Sequence, residues 1–171
     1  MTFNTIIRKI TDNMWVKHSF WTAVAVMLSL VSANMLSLEE YYWAPISTII
    51  VMQSSLGQSW DVSKQRLIGT VIGALFAGVF NFVFPDVNTL NFSLGIFLLG
   101  IICYVFKLTL SAYRLGGVTF SIILLMHHSE IAWRIGLDRF IEVAVGICAA
   151  LIVSAVSAQC PVMKEIRKSI K

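Results

Sequence analysis

Charge is what this sequence has least of. Only 13% of its 171 residues are Asp, Glu, Lys or Arg, against roughly 25% in a soluble domain. So little charge cannot keep a domain of this size in water, which excludes a soluble enzyme and any extramembrane domain with its own core. Cysteine is nearly as scarce. Cys103, Cys148 and Cys160 show neither CxxC spacing nor a Cys/His ligand pattern, so small buried thiols are expected rather than a disulfide framework or a metal site. Phosphate-binding loops, nucleophile elbows and paired catalytic carboxylates are absent, which leaves no enzymatic reading and calls for no cofactor. The basic residues give a net charge of +4 but form no continuous face for nucleic acid. Residues 1–17 lack the apolar core and small-residue cleavage site of a signal peptide.

Apolar residues fill the space that charge leaves. They make up 57% of the chain, with a mean hydropathy of +0.80. A transmembrane helix takes about 20 of them, so six would use about 120 positions. Six stretches are present: about Phe20 to Leu38, Tyr42 to Ser55, Leu67 to Phe84, Leu90 to Phe106, Leu108 to Met126, and Phe140 to Ala158. The fourth and fifth are separated only by Lys107, where a tight turn is expected because one continuous helix would overrun a bilayer. Before the first, Phe3, Ile6, Ile7, Ile10 and Met14 share one helical face, with Arg8, Lys9, Asp12 and Lys17 mainly on the other. That pattern predicts a short amphipathic interfacial helix over 1–17, then a membrane domain over 18–160 and a basic cytoplasmic tail over 161–171.

Lys and Arg set the orientation. Arg8, Lys9, Lys17, Lys64, Arg66, Lys107 and the tail's Lys164, Arg167, Lys168 and Lys171 fall on one side, and Glu39, Glu40 and Asp86 on the other. Both termini are therefore expected in the cytoplasm. Arg134 and Arg139 break the asymmetry, and an internal repeat accounts for Arg139. Shifted by 73 residues, Thr48 to Val83 aligns without gaps on Ser121 to Val156, matching Trp60 with Trp133, Arg66 with Arg139, Gly73 with Gly146 and Ala77 with Ala150. Two three-span halves, about 18–85 and 90–160, would be inverted relative to each other, a recurrent transporter design. The expected fold is thus an all-α integral membrane protein of six helices in two inverted three-helix repeats.

Candidate functional residues cluster around the second and third stretches. The second is short, begins with Pro45, and carries Ser47, Thr48 and Gln53. Such a span can open its backbone to a cavity, although proline in a first helical turn is tolerated. Tyr41, Tyr42 and Trp43 fit an interfacial belt as well as a stacking surface. Gly69, Gly73 and Ala77, with Thr70, Ala74 and Gly78 beside them, form small-residue stripes, as do Gly146, Ala150, Ser154 and Ala158. Stripes of this kind let helix backbones approach closely. Arg66 and Arg139 lie at stretch starts, where they can snorkel to headgroups or, for Arg66 with Lys64, draw anions. Glu142 can pair locally with Arg139 or serve as a proton-coupling carboxylate. Arg114, a turn into the fifth stretch, is the other candidate anion contact. His127, His128 and Glu130 lack metal-ligand spacing, so no metal site is expected.

These residues resemble the fusaric-acid-resistance-like family, which includes aromatic acid exporters. The resemblance lies in Tyr42-Trp43-Ala44-Pro45, Gly57 and the run Arg66-x-x-Gly-Thr-x-x-Gly-Ala to Ala74, with a weaker echo from Arg139 to Gly146 and then Pro161. The same arrangement is similar to the membrane part of plant aluminium-activated malate transporters, which are anion channels. The resemblance implies export of aromatic or other organic carboxylic acids by a six-helix unit working as a homodimer, with Arg66, and less directly Lys64 and Arg114, on the anion path. The larger exporters carry a soluble domain and a second membrane unit that this chain does not show, which makes self-association the expectation. Two other readings use the same residues: a passive organic-anion channel, and a non-transporting membrane module that binds a partner protein.

Overall fold

The computed structural model describes residues 14–53, 55–126 and 132–159. Most of the proposed interfacial helix, the His127–Glu130 segment and the basic tail lie outside them. Among the described residues there are six helices: α1 (Met14–Met35), α2 (Trp43–Val51), α3 (Leu56–Val83), α4 (Thr89–Val105), α5 (Leu110–Met126) and α6 (Ala132–Gln159). Three segments, Trp15–Met35, Leu56–Val83 and Arg134–Gln159, are long and apolar enough to cross a membrane. The apolar helices α4 and α5 have 17 residues each, or about 25 Å. Helix α2, with nine residues, reaches only about 14 Å, against a hydrocarbon core of about 30 Å.

Two helix starts differ from the apolar stretches. Helix α3 begins at Leu56 rather than Leu67, and α6 at Ala132 rather than Phe140. Hydropathy stops at a polar residue, but a helix does not. The segment from Leu56 to Arg66 contains no proline, and the Ser55 hydroxyl accepts from the Gln58 N–H at 3.3 Å, the usual N-terminal cap. Arg66 and Arg139 consequently sit about three and two turns inside their helices, not at the first residues, where a side chain can snorkel outward. Residues 14–17 likewise belong to the continuous α1.

Packing divides the chain into two compact units, Met1–Trp60 with Val145–Lys171 and Asp61–Ala144. In the first unit α1 packs on α2. Ser37 adopts φ 52°, the Leu38 N–H donates to Ala33 O at 3.3 Å and the Ser37 N–H to Asn34 O at 3.0 Å. This is a Schellman ending with a left-handed residue just past the helix. The C-terminal part of α6 closes on α2 at Gly146, where a Cβ would overlap the Ala44 carbonyl oxygen and crowd Ser47.

In the second unit α3 and α5 meet at Gly69, Gly73 and Gly116, and a Cβ at Gly73 would overlap the Gly116 backbone. Phe80, Leu99, Cys103, Phe120, Ile123 and Leu124 form a buried core. The Phe120 ring stacks against Phe76 at 5.4 Å and Phe92 at 5.8 Å. Helices α4 and α5 pack together across the turn at Lys107, which also adopts φ 52°, with Leu108 N–H on Cys103 O at 2.9 Å and Lys107 N–H on Tyr104 O at 3.0 Å. Glycine is the usual residue at such a position, because an L side chain there costs roughly 1–2 kcal/mol. Ser37→Gly should therefore raise the unfolding free energy by up to about 1 kcal/mol, read by denaturant titration in detergent. A lower midpoint would contradict this reading of the turn.

Candidate functional site

Arg66 is only 3% exposed, although its helix also carries Asp61 and Lys64 within two turns. The helical period separates them: residues two apart do not share a face. Lys64 lies out on the surface, its Nζ 3.4 Å from Asp61 Oδ1, while Arg66 points inward. Lys64 and Arg66 are thus not brought together. One turn further, the Thr70 hydroxyl donates to the Arg66 carbonyl at 2.8 Å, which engages its hydrogen within α3. Thr70, Ala74 and Gly78 instead line an apolar groove of about 530 Å³, with Gly136, Leu137 and Phe140 on α6. Gly78 has nothing within 4 Å of an added Cβ, whereas Ala77 is buried in the core beside Phe80.

Arg139 and Glu142 form an ion pair on α6. Arg139 NH1 lies 3.0 Å from Glu142 Oε2, with the side chains 4% and 1% exposed. A spacing of three residues brings them over one another on the helix surface. Such a pair replaces water around both ions, and removing either partner takes away charge compensation that the other's burial requires. Arg114, on α5, is exposed.

The first unit holds a different arrangement. Pro45 is buried in the first turn of α2, where its missing N–H deprives the helix of nothing. Trp43 donates from Nε1 to Glu40 Oε2 at 2.9 Å, and its ring lies 5.7 Å from that of Tyr42. After Val51 the chain turns extended at Met52, with ψ 109°. The Gln53 N–H donates to the Ser59 hydroxyl at 3.0 Å, and Gln53 Nε2 to Ile50 O at 3.1 Å. Ser59 and Ser154 hydroxyls are 3.3 Å apart, and Ser154 Oγ lies 3.4 Å from Met52 Sδ. Thr48 Oγ1 lies 3.0 Å from both Ala44 O and Gly146 O. The Ser59 hydroxyl thus serves the Gln53 N–H that the break exposes, as an interrupted helix in an apolar setting requires. Ala150 is buried on the same stretch of α6.

Sequence reasoning passed over Ser59, the buried Ser63 of α3 and Gly116. The first two sit in a segment read as a polar connection, and their signal would have been the absence of any helix breaker from Leu56 onward. Gly116 partners Gly69 and Gly73, and only a second small residue on another helix could have pointed to it. Among the described residues no three His, Cys, Asp or Glu side chains are grouped to hold a metal ion.

A family model described as fusaric acid resistance protein-like matches residues 24–153, from α1 through most of α6. No curated protein and no solved structure matches the chain.

Proposed function

We propose that this chain, which belongs to the fusaric acid resistance protein-like family, is a membrane transporter that moves aromatic or other organic carboxylic acids out of the cytoplasm. The observation that carries this reading is Arg66: a guanidinium 3% exposed within a 28-residue helix long enough to cross a bilayer. An arginine buried where an apolar helical run begins, instead of turned out to the headgroups, is a functional candidate. A planar guanidinium takes a carboxylate through two parallel hydrogen bonds, so an organic acid is the ligand its chemistry fits. Exposed Lys64 and Arg114 add positive charge that gathers anions before entry. Trp43, with its Nε1 engaged by Glu40, offers a ring face, and Pro45 and Gln53 define the short helix and its break.

The membrane arrangement in this reading is six helices in two inverted repeats, with α2 as the discontinuous one, in the inner membrane of a bacterium with both termini cytoplasmic. Two features support the repeat. Helices α1 and α4 end in the same left-handed turn, at Ser37 and Lys107. Helices α3 and α6 each have 28 residues and carry an arginine in their first half. A homodimer gives so small a unit the helix surface that a path between subunits needs.

The test is flux. Protein in liposomes should move radiolabelled benzoate, and Arg66→Ala should lower the initial rate about tenfold or more, since a charged hydrogen bond contributes about 1.5–3 kcal/mol. Arg66→Lys should recover part of it. Unchanged flux in Arg66→Ala sinks the role given to that residue. Currents independent of any proton gradient select the passive channel, and a stoichiometric partner with no flux selects the non-transporting module.

A further inference from the structure

Helices α4 and α5 enclose a groove of about 490 Å³ beside the turn that joins them. Phe97, Gly100, Ile101 and Tyr104 line its α4 side, and their spacings of three and four put them on one helix face. Gly100 supplies no side chain at the middle of that face. The Tyr113 ring of α5 lies only 3.4 Å from where a Cβ would stand, and so forms the floor. Phe97, Tyr104 and Leu110 are each at least 65% exposed, so the groove opens outward rather than into the core.

The end at the turn differs chemically from the rest. Over Val87–Met126 there is no Asp or Glu, and the only Lys and Arg are Lys107, in the turn, and Arg114, four residues into α5. Both are exposed. A helical side chain leans toward the N-terminus of its helix, which brings Arg114 back toward Lys107 and over Leu110, its neighbour one turn before. Thr109 Oγ1 accepts from the Ala112 N–H at 3.2 Å, which leaves its O–H to donate. Tyr104 and Tyr113 stand at the same end, and aromatic residues beside cations mark the level of lipid headgroups.

We propose that this groove binds an anionic phospholipid, its phosphate at Lys107 and Arg114 and an acyl chain along the α4 face. The apolar trough fits the chain, and the two cations, with no acidic residue on either helix, fit the phosphate. A zwitterionic headgroup brings a cation of its own to that end; an anionic one does not. A second copy of the chain fits less well. A two-fold axis along the membrane normal sets like residues at the same depth, so the cations of both copies would meet. The inference does not depend on the transport reading, with which it shares only Arg114, where a bound lipid phosphate would compete with solute anions.

Native mass spectrometry of the full-length protein, in micelles holding equal amounts of phosphatidylglycerol and phosphatidylcholine, tests it. The parent should retain one phosphatidylglycerol per chain. It should prefer that lipid about tenfold or more, since each cation near an anionic surface strengthens binding about fivefold. Lys107→Asn/Arg114→Gln should bring the two lipids near parity, asparagine being suited to the left-handed backbone at Lys107. Lys107→Arg/Arg114→Lys should keep the preference. Ile101→Trp leaves both charges in place but fills the groove, and should lose the retained lipid. Equal retention of both lipids by the parent, or parent-like retention in the neutral pair or in Ile101→Trp, overturns the proposal. So does displacement by excess glycerol phosphate or benzoate, which would make this a site for a free anion.

Discussion

Glu142→Gln should lower the unfolding free energy of the detergent-solubilised protein by about 3–5 kcal/mol, the usual consequence of deleting one member of a buried ion pair. Arg139 would keep its charge and its burial but lose the carboxylate now 3.0 Å away. A neutral amide puts only a dipole where that opposite charge stood. Removing both charges has a different outcome. Arg139→Met/Glu142→Leu removes the positive and the negative charge together, and should cost clearly less than Glu142→Gln alone. SDS titration followed by circular dichroism reads both. Equal losses in the single and double variants would mean that the pair is not the origin of the effect.

The second large effect separates glycines that share one sequence pattern. Gly73→Ala should cost about 1–3 kcal/mol, because its new methyl would meet the Gly116 backbone and α3 and α5 would have to part along the whole contact. Gly146→Ala should cost at least as much, since it pushes on the Ala44 carbonyl and disturbs the Thr48 hydroxyl that bridges the two helices. Gly78→Ala should act in the opposite direction. Nothing stands within 4 Å of its added carbon, so the gain in helix propensity, up to about 1 kcal/mol, is left uncancelled. Thermal denaturation of the three variants side by side decides the matter. A destabilised Gly78→Ala would show that its face is closed by something other than the residues described.

How much of this was legible beforehand follows from which physical signal each feature leaves. Helix number and the turn at Lys107 were readable, because apolar runs interrupted by one charge admit few arrangements in a bilayer. The shortness of α2 was readable from Pro45 at one end and the polar Gln53 at the other. The true starts of α3 and α6 were not, since hydropathy measures what a segment prefers as solvent, whereas helicity depends on caps and breakers. That is why Arg66 and Arg139 read as stretch-end residues and prove to lie well inside their helices. The glycine stripes announced close approach without naming the partner, and Gly116 became visible only when α5 was placed against α3. The Arg139–Glu142 contact was accessible from spacing alone, but its burial was not.

The bond between Thr48 and the Gly146 carbonyl links residues 98 positions apart, whereas the turns at Ser37 and Lys107 close through hydrogen bonds between residues at most five apart. During synthesis, the α1–α2 and α4–α5 hairpins can each form as soon as their own residues emerge, since local closure carries little entropic cost. The first unit stays unfinished far longer. Until α6 arrives, Thr48 has only the Ala44 carbonyl of its own helix and Ser59 only its local partners, and the contacts of both with α6 are still to be made. A chain interrupted between the end of α2 and Gly146 therefore carries a formed α1–α2 hairpin whose contacts with α6 are missing.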